Sequence, residues 1–191
     1  KAALVLKNAQ IINVFSQTIQ KGNVALQNGY IVGVGTSYEG EKEIDLAGRY
    51  LAPGFIDAHI HLESAMVSPR LLAAHIVPWG TTTVIADPHE IANVAGLAGI
   101  QYLLDASAEL PLQVYMMFPA CVPATAGEEN GATLTVADWQ ALADEPRLLG
   151  LGEVMDFPAV IAGEDSIWQK LVAARKRPRD GHAPGLSGQA L

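Results

Sequence analysis

From Leu51 onward, short apolar runs alternate with helical stretches, and that rhythm leaves little choice but a parallel sheet with helical crossovers. Residues 55–61, 81–86, 112–118 and 148–154 are the runs, each too short to read as a helix and each with Gly, Pro or Asp close by. Between them, Ser68-Pro69 offers an N-cap and first-turn pair, and Leu97, Ile100 and Leu104 share one helical face. The segment from Thr135 to Asp138 has capping-box spacing. Ser166 and Gln169 are expected to open the last helix and Pro178 to end it, while Asp87 is placed to cap the helix after the second run. Asp180-Gly181-His182 then stands where a fifth strand would begin. Strands buried on both faces read as unbroken apolar runs. They account for a mean hydropathy of +0.21 without any stretch of about 18 apolar residues that could span a membrane.

The first fifty residues follow another pattern. Residues 3–6, 11–14, 23–27, 30–34 and 43–46 are short apolar or alternating runs separated by turns. Asn28-Gly29 is a type I′ hairpin signal, because both of its residues must take positive φ. The expected architecture is therefore α/β, with two parts. Residues 1–52 form a small, incomplete, sandwich-like β domain, and residues 53–191 form the first half of a TIM-like (β/α)8 barrel, cut at about its fifth strand. A complete barrel takes roughly 250 residues, so half a barrel is what this length holds. The chain starts at Lys1 with no secretory signal pattern and is expected to have been trimmed at the front.

Polar residues at the C-terminal ends of barrel strands are where chemistry gathers. The first run ends Asp57-Ala58-His59-Ile60-His61, and residues two apart on a strand face the same way, so His59 and His61 can hold one metal ion together. The fourth ends Gly152-Glu153, an acidic residue that would be costly to bury without a cation or donor, and that has two oxygens with which to bridge two ions. His182 is a ligand candidate because it follows these on the next strand position. The second run ends Asp87-Pro88-His89-Glu90, which could contact substrate, move protons or bind metal. Glu153, His89 and Glu90 are the candidate catalytic residues; His59, His61, Glu153 and His182 are the candidate metal ligands.

Taken in order, these segments resemble the amidohydrolase superfamily. Pro53-Gly54-Phe55-Ile56-Asp57-Ala58-His59-Ile60-His61 is similar to its first-strand signature. His61-Leu62-Glu63-Ser64, the stretch from Asp87 to Val94, Cys121-Val122-Pro123-Ala124, Gly152-Glu153-Val154-Met155-Asp156 and Asp180-Gly181-His182-Ala183-Pro184-Gly185 resemble the adenine deaminase family within it. The resemblance implies a binuclear centre of manganese or iron, with zinc the alternative. In it His59 and His61 bind one ion, Glu153 bridges both and His182 binds the second. Many superfamily members bridge with a carboxylated lysine instead, but this chain has no Lys between Lys42 and Lys170.

The implied reaction is metal-dependent hydrolysis of adenine to hypoxanthine and ammonia by a cytoplasmic homo-oligomer acting in purine salvage. A further His and an Asp, expected from later strands, lie outside these 191 residues, so the chain alone is expected to be inactive. The alternatives are an amidohydrolase acting on another cyclic amide or amine, and a non-catalytic metal-binding fragment. A net charge of −8 argues against a nucleic-acid surface, and the run Arg175-Lys176-Arg177 reads as cations at a helix C-terminus. One cysteine, Cys121, excludes an internal disulfide and the cysteine-rich zinc site of cytidine-deaminase-type enzymes, and suits a reducing compartment.

Overall fold

The structure, a computed structural model, describes residues 1–125 and 127–188. It divides into two compact units, Lys1–Pro53 and Gly54–Leu191.

The first unit is one five-stranded sheet. Its strands are β1 (Ala2–Asn13), β2 (Thr18–Gln27), β3 (Tyr30–Gly35), β4 (Gly40–Asp45) and β5 (Tyr50–Leu51), in the order β3-β2-β1-β4, with β5 also on β1. The two runs expected at 3–6 and 11–14 are a single strand. Asn8 takes a left-handed conformation (φ 57°) and forms a bulge between Leu6 and Ala9, across which the β1–β2 ladder continues. The half-buried turn of chain is satisfied by Asn23, whose side-chain oxygen accepts from the Asn8 N–H at 3.0 Å while its amide donates to the Thr36 carbonyl at 3.2 Å. Asn28 and Gly29 make the tight β2–β3 turn with φ 52° and 79°. The small core here is built on Val5, Ala9, Ile11, Val24 and Ala25.

The second unit is a parallel sheet in sequential order: β6 (Phe55–Ile60), β7 (Thr81–Ala86), β8 (Gln113–Pro119), β9 (Leu148–Val154) and β10 (Arg179–Gly181). Every neighbouring pair is parallel, which is the arrangement of the first strands of a β/α barrel. The crossovers contain α1 (Pro69–Ile76), α2 (His89–Ala106), α3 (Val136–Leu142), α4 (Phe157–Ala162) and α5 (Asp165–Ala173). Ser68 caps α1 by accepting from Leu71 N–H, and the Asp138 carboxylate accepts from both the backbone N–H and the hydroxyl of Thr135 at 2.7 Å. The core packs Val84, Val114, Met116, Phe118 and Leu151 of the inner strands against Ile100, Leu104, Trp139 and Ile167 of the helices.

Three helix-end expectations are corrected. Asp87 does not cap α2: Glu63, in a 3₁₀ turn after β6, accepts from Ile91 N–H at 2.9 Å, so that role is taken. Ser166 does not open α5, because α4 precedes it. Asp156 caps α4, Gly163 ends it with φ 75°, and α5 restarts at once with Glu164 as its N-cap. Pro178 does not end α5, which stops at Ala173; the chain then turns so that Arg177 donates to the Leu148 carbonyl at 2.7 Å and lies 5.5 Å from the Trp139 ring centre. That engagement also removes Arg177 from any basic surface.

Candidate metal centre

Strand polarity brings the C-terminal ends of β6, β7, β9 and β10 to one rim. His59 is carried by β6 and His61 follows it. Glu153 is the penultimate residue of β9, His182 follows β10, and His89 opens the helix after β7. All four imidazoles converge on one carboxylate. Oε1 of Glu153 lies 2.5 Å from Nε2 of His59, 3.2 Å from Nε2 of His61 and 3.1 Å from Nε2 of His182, while Oε2 lies 3.1 Å from Nδ1 of His89. Glu153 is 4% exposed. Burial pushes its carboxyl up, but the hydrogen bond from His182 and the charges of His61, His89 and His59 outweigh this and leave it below the ordinary carboxylate range.

The donor set suits a cation. A carboxylate oxygen offers about two lone-pair directions, yet three imidazole nitrogens crowd Oε1. His61 makes the point sharper. Its Nδ1 lies 2.9 Å from the backbone carbonyl of Asp87, which can only accept, so Nδ1 carries a proton and Nε2 is the atom turned toward Glu153. With Nδ1 so engaged, Nε2 is the ring atom placed to share a cation with Glu153. His59, His61 and Glu153 offer ligand atoms mutually close enough to hold one ion, and so do Asp87, His89 and Glu153.

The remaining sequence candidates divide. His89 joins the cluster; the nearby Asp87 carboxylate raises it above the ordinary imidazole range, against the pull of burial. Glu90 does not join it: its carboxylate accepts from the Ser64 hydroxyl at 2.7 Å, on the wall of a cleft of about 400 Å³ shared with His89, Asn93, Cys121 and Met155. A cleft of that volume accommodates a small molecule. Two residues had been passed over. Asp180 lies 3.5 Å from Nδ1 of His59, and the strand period pairs it with His182, a signal available in the sequence. Glu63 reaches α2 across 28 positions, and no local pattern announces that.

This rim of imidazoles and a buried carboxylate on successive parallel strands is the arrangement of a metal-dependent hydrolase barrel. The sequence pattern of the Amidohydrolase family matches residues 50–190, and the chain belongs to that family. Among curated relatives, the adenine deaminase of Desulfitobacterium hafniense is 52% identical over 191 residues, covering all of this chain and 33% of the relative. Adenine deaminase 2 of Carboxydothermus hydrogenoformans is 50% identical over 190 residues, with the same shares of the two chains. The chain thus spans about a third of the length of the curated relatives it matches. In fold it is similar to the N-acyl-D-glutamate deacylase of Bordetella bronchiseptica, with TM-score 0.63, 20% identity, and 95% of this chain and 45% of that one covered.

Proposed function

We propose that this chain is the metal-binding N-terminal portion of an adenine deaminase, which hydrolyses adenine to hypoxanthine and ammonia. The observation that carries the reading is the 50–52% identity to curated adenine deaminases across the whole chain. In this reading His59 and His61 would hold one ion and His182 a second, with Glu153 as the carboxylate shared between them. When bound, the metal pair, manganese or iron, supplies Lewis-acid activation of water near neutral pH. Glu153 keeps its negative charge and fixes the site against β9. The ring of His61 is oriented by the Asp87 carbonyl, to which its Nδ1–H donates. Glu90 and His89 line the cleft and are the groups that hold and move protons, with the departing amine as the acceptor that must be served. A cytoplasmic, homo-oligomeric enzyme of purine salvage is part of the same reading, in keeping with the buried, unpaired thiol of Cys121.

The test is release of ammonia from adenine by the protein at the length of its relatives, loaded with Mn²⁺, beside residues 1–191 alone. Turnover by the longer protein, abolished by Glu153→Gln and absent from the 191 residues, is expected. Hydrolysis of a cyclic amide with none of adenine would replace the reading with another amidohydrolase activity.

A further inference from the structure

The two oxygens of Glu153 keep different company. His59, His61 and His182 gather at Oε1, whereas Oε2 faces Nδ1 of His89 at 3.1 Å. Oδ1 of Asp87 lies 3.6 Å from the same Nδ1. Asp87 is 1% exposed, and among the described residues neither of its oxygens nor Nδ1 of His89 has a hydrogen-bond partner. A buried carboxylate with no partner on either oxygen is costly, and its burial pushes the group above the ordinary carboxylate range. The position is also crowded by design of the neighbouring strand: a Cβ added at Gly152 would lie 2.2 Å from Oδ2 of Asp87. The carboxylate therefore occupies room that only glycine leaves, one residue before Glu153.

The spacing of the three atoms is that of ligands around an ion. Ligands about 2.1 Å from a shared cation stand about 3.0 Å apart at octahedral angles and about 3.4 Å apart at tetrahedral ones. The two edges that meet at His89 are 3.1 and 3.6 Å, and all three atoms lie within 4.8 Å of one another. We propose that Asp87, His89 and Oε2 of Glu153 hold a divalent cation of their own, separate from any ion on the Oε1 side. Two carboxylate oxygens and one imidazole make a harder donor set than the three imidazoles opposite. The Asp87 side therefore favours Mn²⁺, and the imidazole-rich side is the better seat for Zn²⁺. With Nδ1 on the cation, the Nε2–H of His89 is left as a hydrogen-bond donor. The inference rests on where Glu153 sits and does not require adenine as the substrate.

Crystals of the protein grown with Mn²⁺ and measured near the manganese absorption edge decide the matter. An anomalous peak within about 2.5 Å of all three atoms is expected. Asp87→Asn and, independently, His89→Gln should each lower bound Mn²⁺ by one ion per chain in elemental analysis, while the ion beside His59 and His61 stays. Peaks on the Oε1 side alone in the wild-type crystal, or full Mn²⁺ content in a folded Asp87→Asn protein, would overturn the inference. The wild-type map decides even where a variant fails to fold. A peak at this position without adenine turnover sustains the inference and removes the deaminase reading, so the two fail separately.

Discussion

The inner strands β7, β8 and β9 carry the buried side chains of the sheet, with Val84, Met116, Phe118 and Leu151 shut off from solvent, whereas β6 and β10 lie at the edges of the sheet and are exposed along nearly their whole length. The site is divided along the same line. The ends of β7 and β9 supply the buried carboxylates Asp87 and Glu153, while His59 and His182, from the edge strands, have side chains 40% and 61% exposed. A carboxylate held away from water needs a rigid frame and a compensating charge. An exposed imidazole loses little hydration and can turn toward an ion when one arrives. Buried carboxylates in the middle and exposed imidazoles at the margin is the division this sheet teaches.

That contrast can be broken by substitution. Phe118→Ala, near the C-terminal end of β8, fully buried and edge-to-face with Trp139 at 5.7 Å, should lower stability by about 3–5 kcal/mol in chemical denaturation; a small effect would mean the inner strands are not the frame. Lys170, buried on α5 with its ammonium 2.7 Å from the Ala120 carbonyl, sharpens the comparison through pH. Burial lowers its pKa below the ordinary lysine value. Between that lowered value and the ordinary one the unfolded chain binds more protons, so the stability of the wild type should rise with pH toward about 10. Urea titrations of wild type and Lys170→Met at neutral and alkaline pH should diverge in favour of the wild type; parallel curves would contradict burial of the ammonium. The smallest effect belongs to Ile56→Ala on β6, where the side chain is 64% exposed. It should stay within about 0.5 kcal/mol, and a loss as large as that of a core residue would show that the margin is covered in solution.

How much of this was legible in the sequence depends on the reach of each interaction. The spacing of His59 and His61 and the places of Glu153 and His182 at strand ends are local facts, set by a period of two and by strand polarity, and they could be read directly. The split between the two oxygens of Glu153 could not. It depends on Asp87 being turned inward by Ile60, whose carbonyl takes the Asp87 N–H at 3.0 Å, and on the room left by Gly152. Helix starts were misjudged for a similar reason. Ser166 has the chemistry of a cap, but Gly163 had already ended one helix and the next began two residues too early for Ser166 to serve. Asp87 likewise has a capping side chain, and Glu63, distant in sequence, reached α2 first.

His61 leans on main chain: its ring proton goes to the carbonyl of residue 87, not to that residue's side chain. Substitution at position 87 can therefore remove a carboxylate without disturbing the orientation of its neighbour. Only slippage of β6 against β7 would unseat the ring, and hydrogen bonds between the two strands, from Phe55↔Thr81 to Ile60↔Ala86, oppose that.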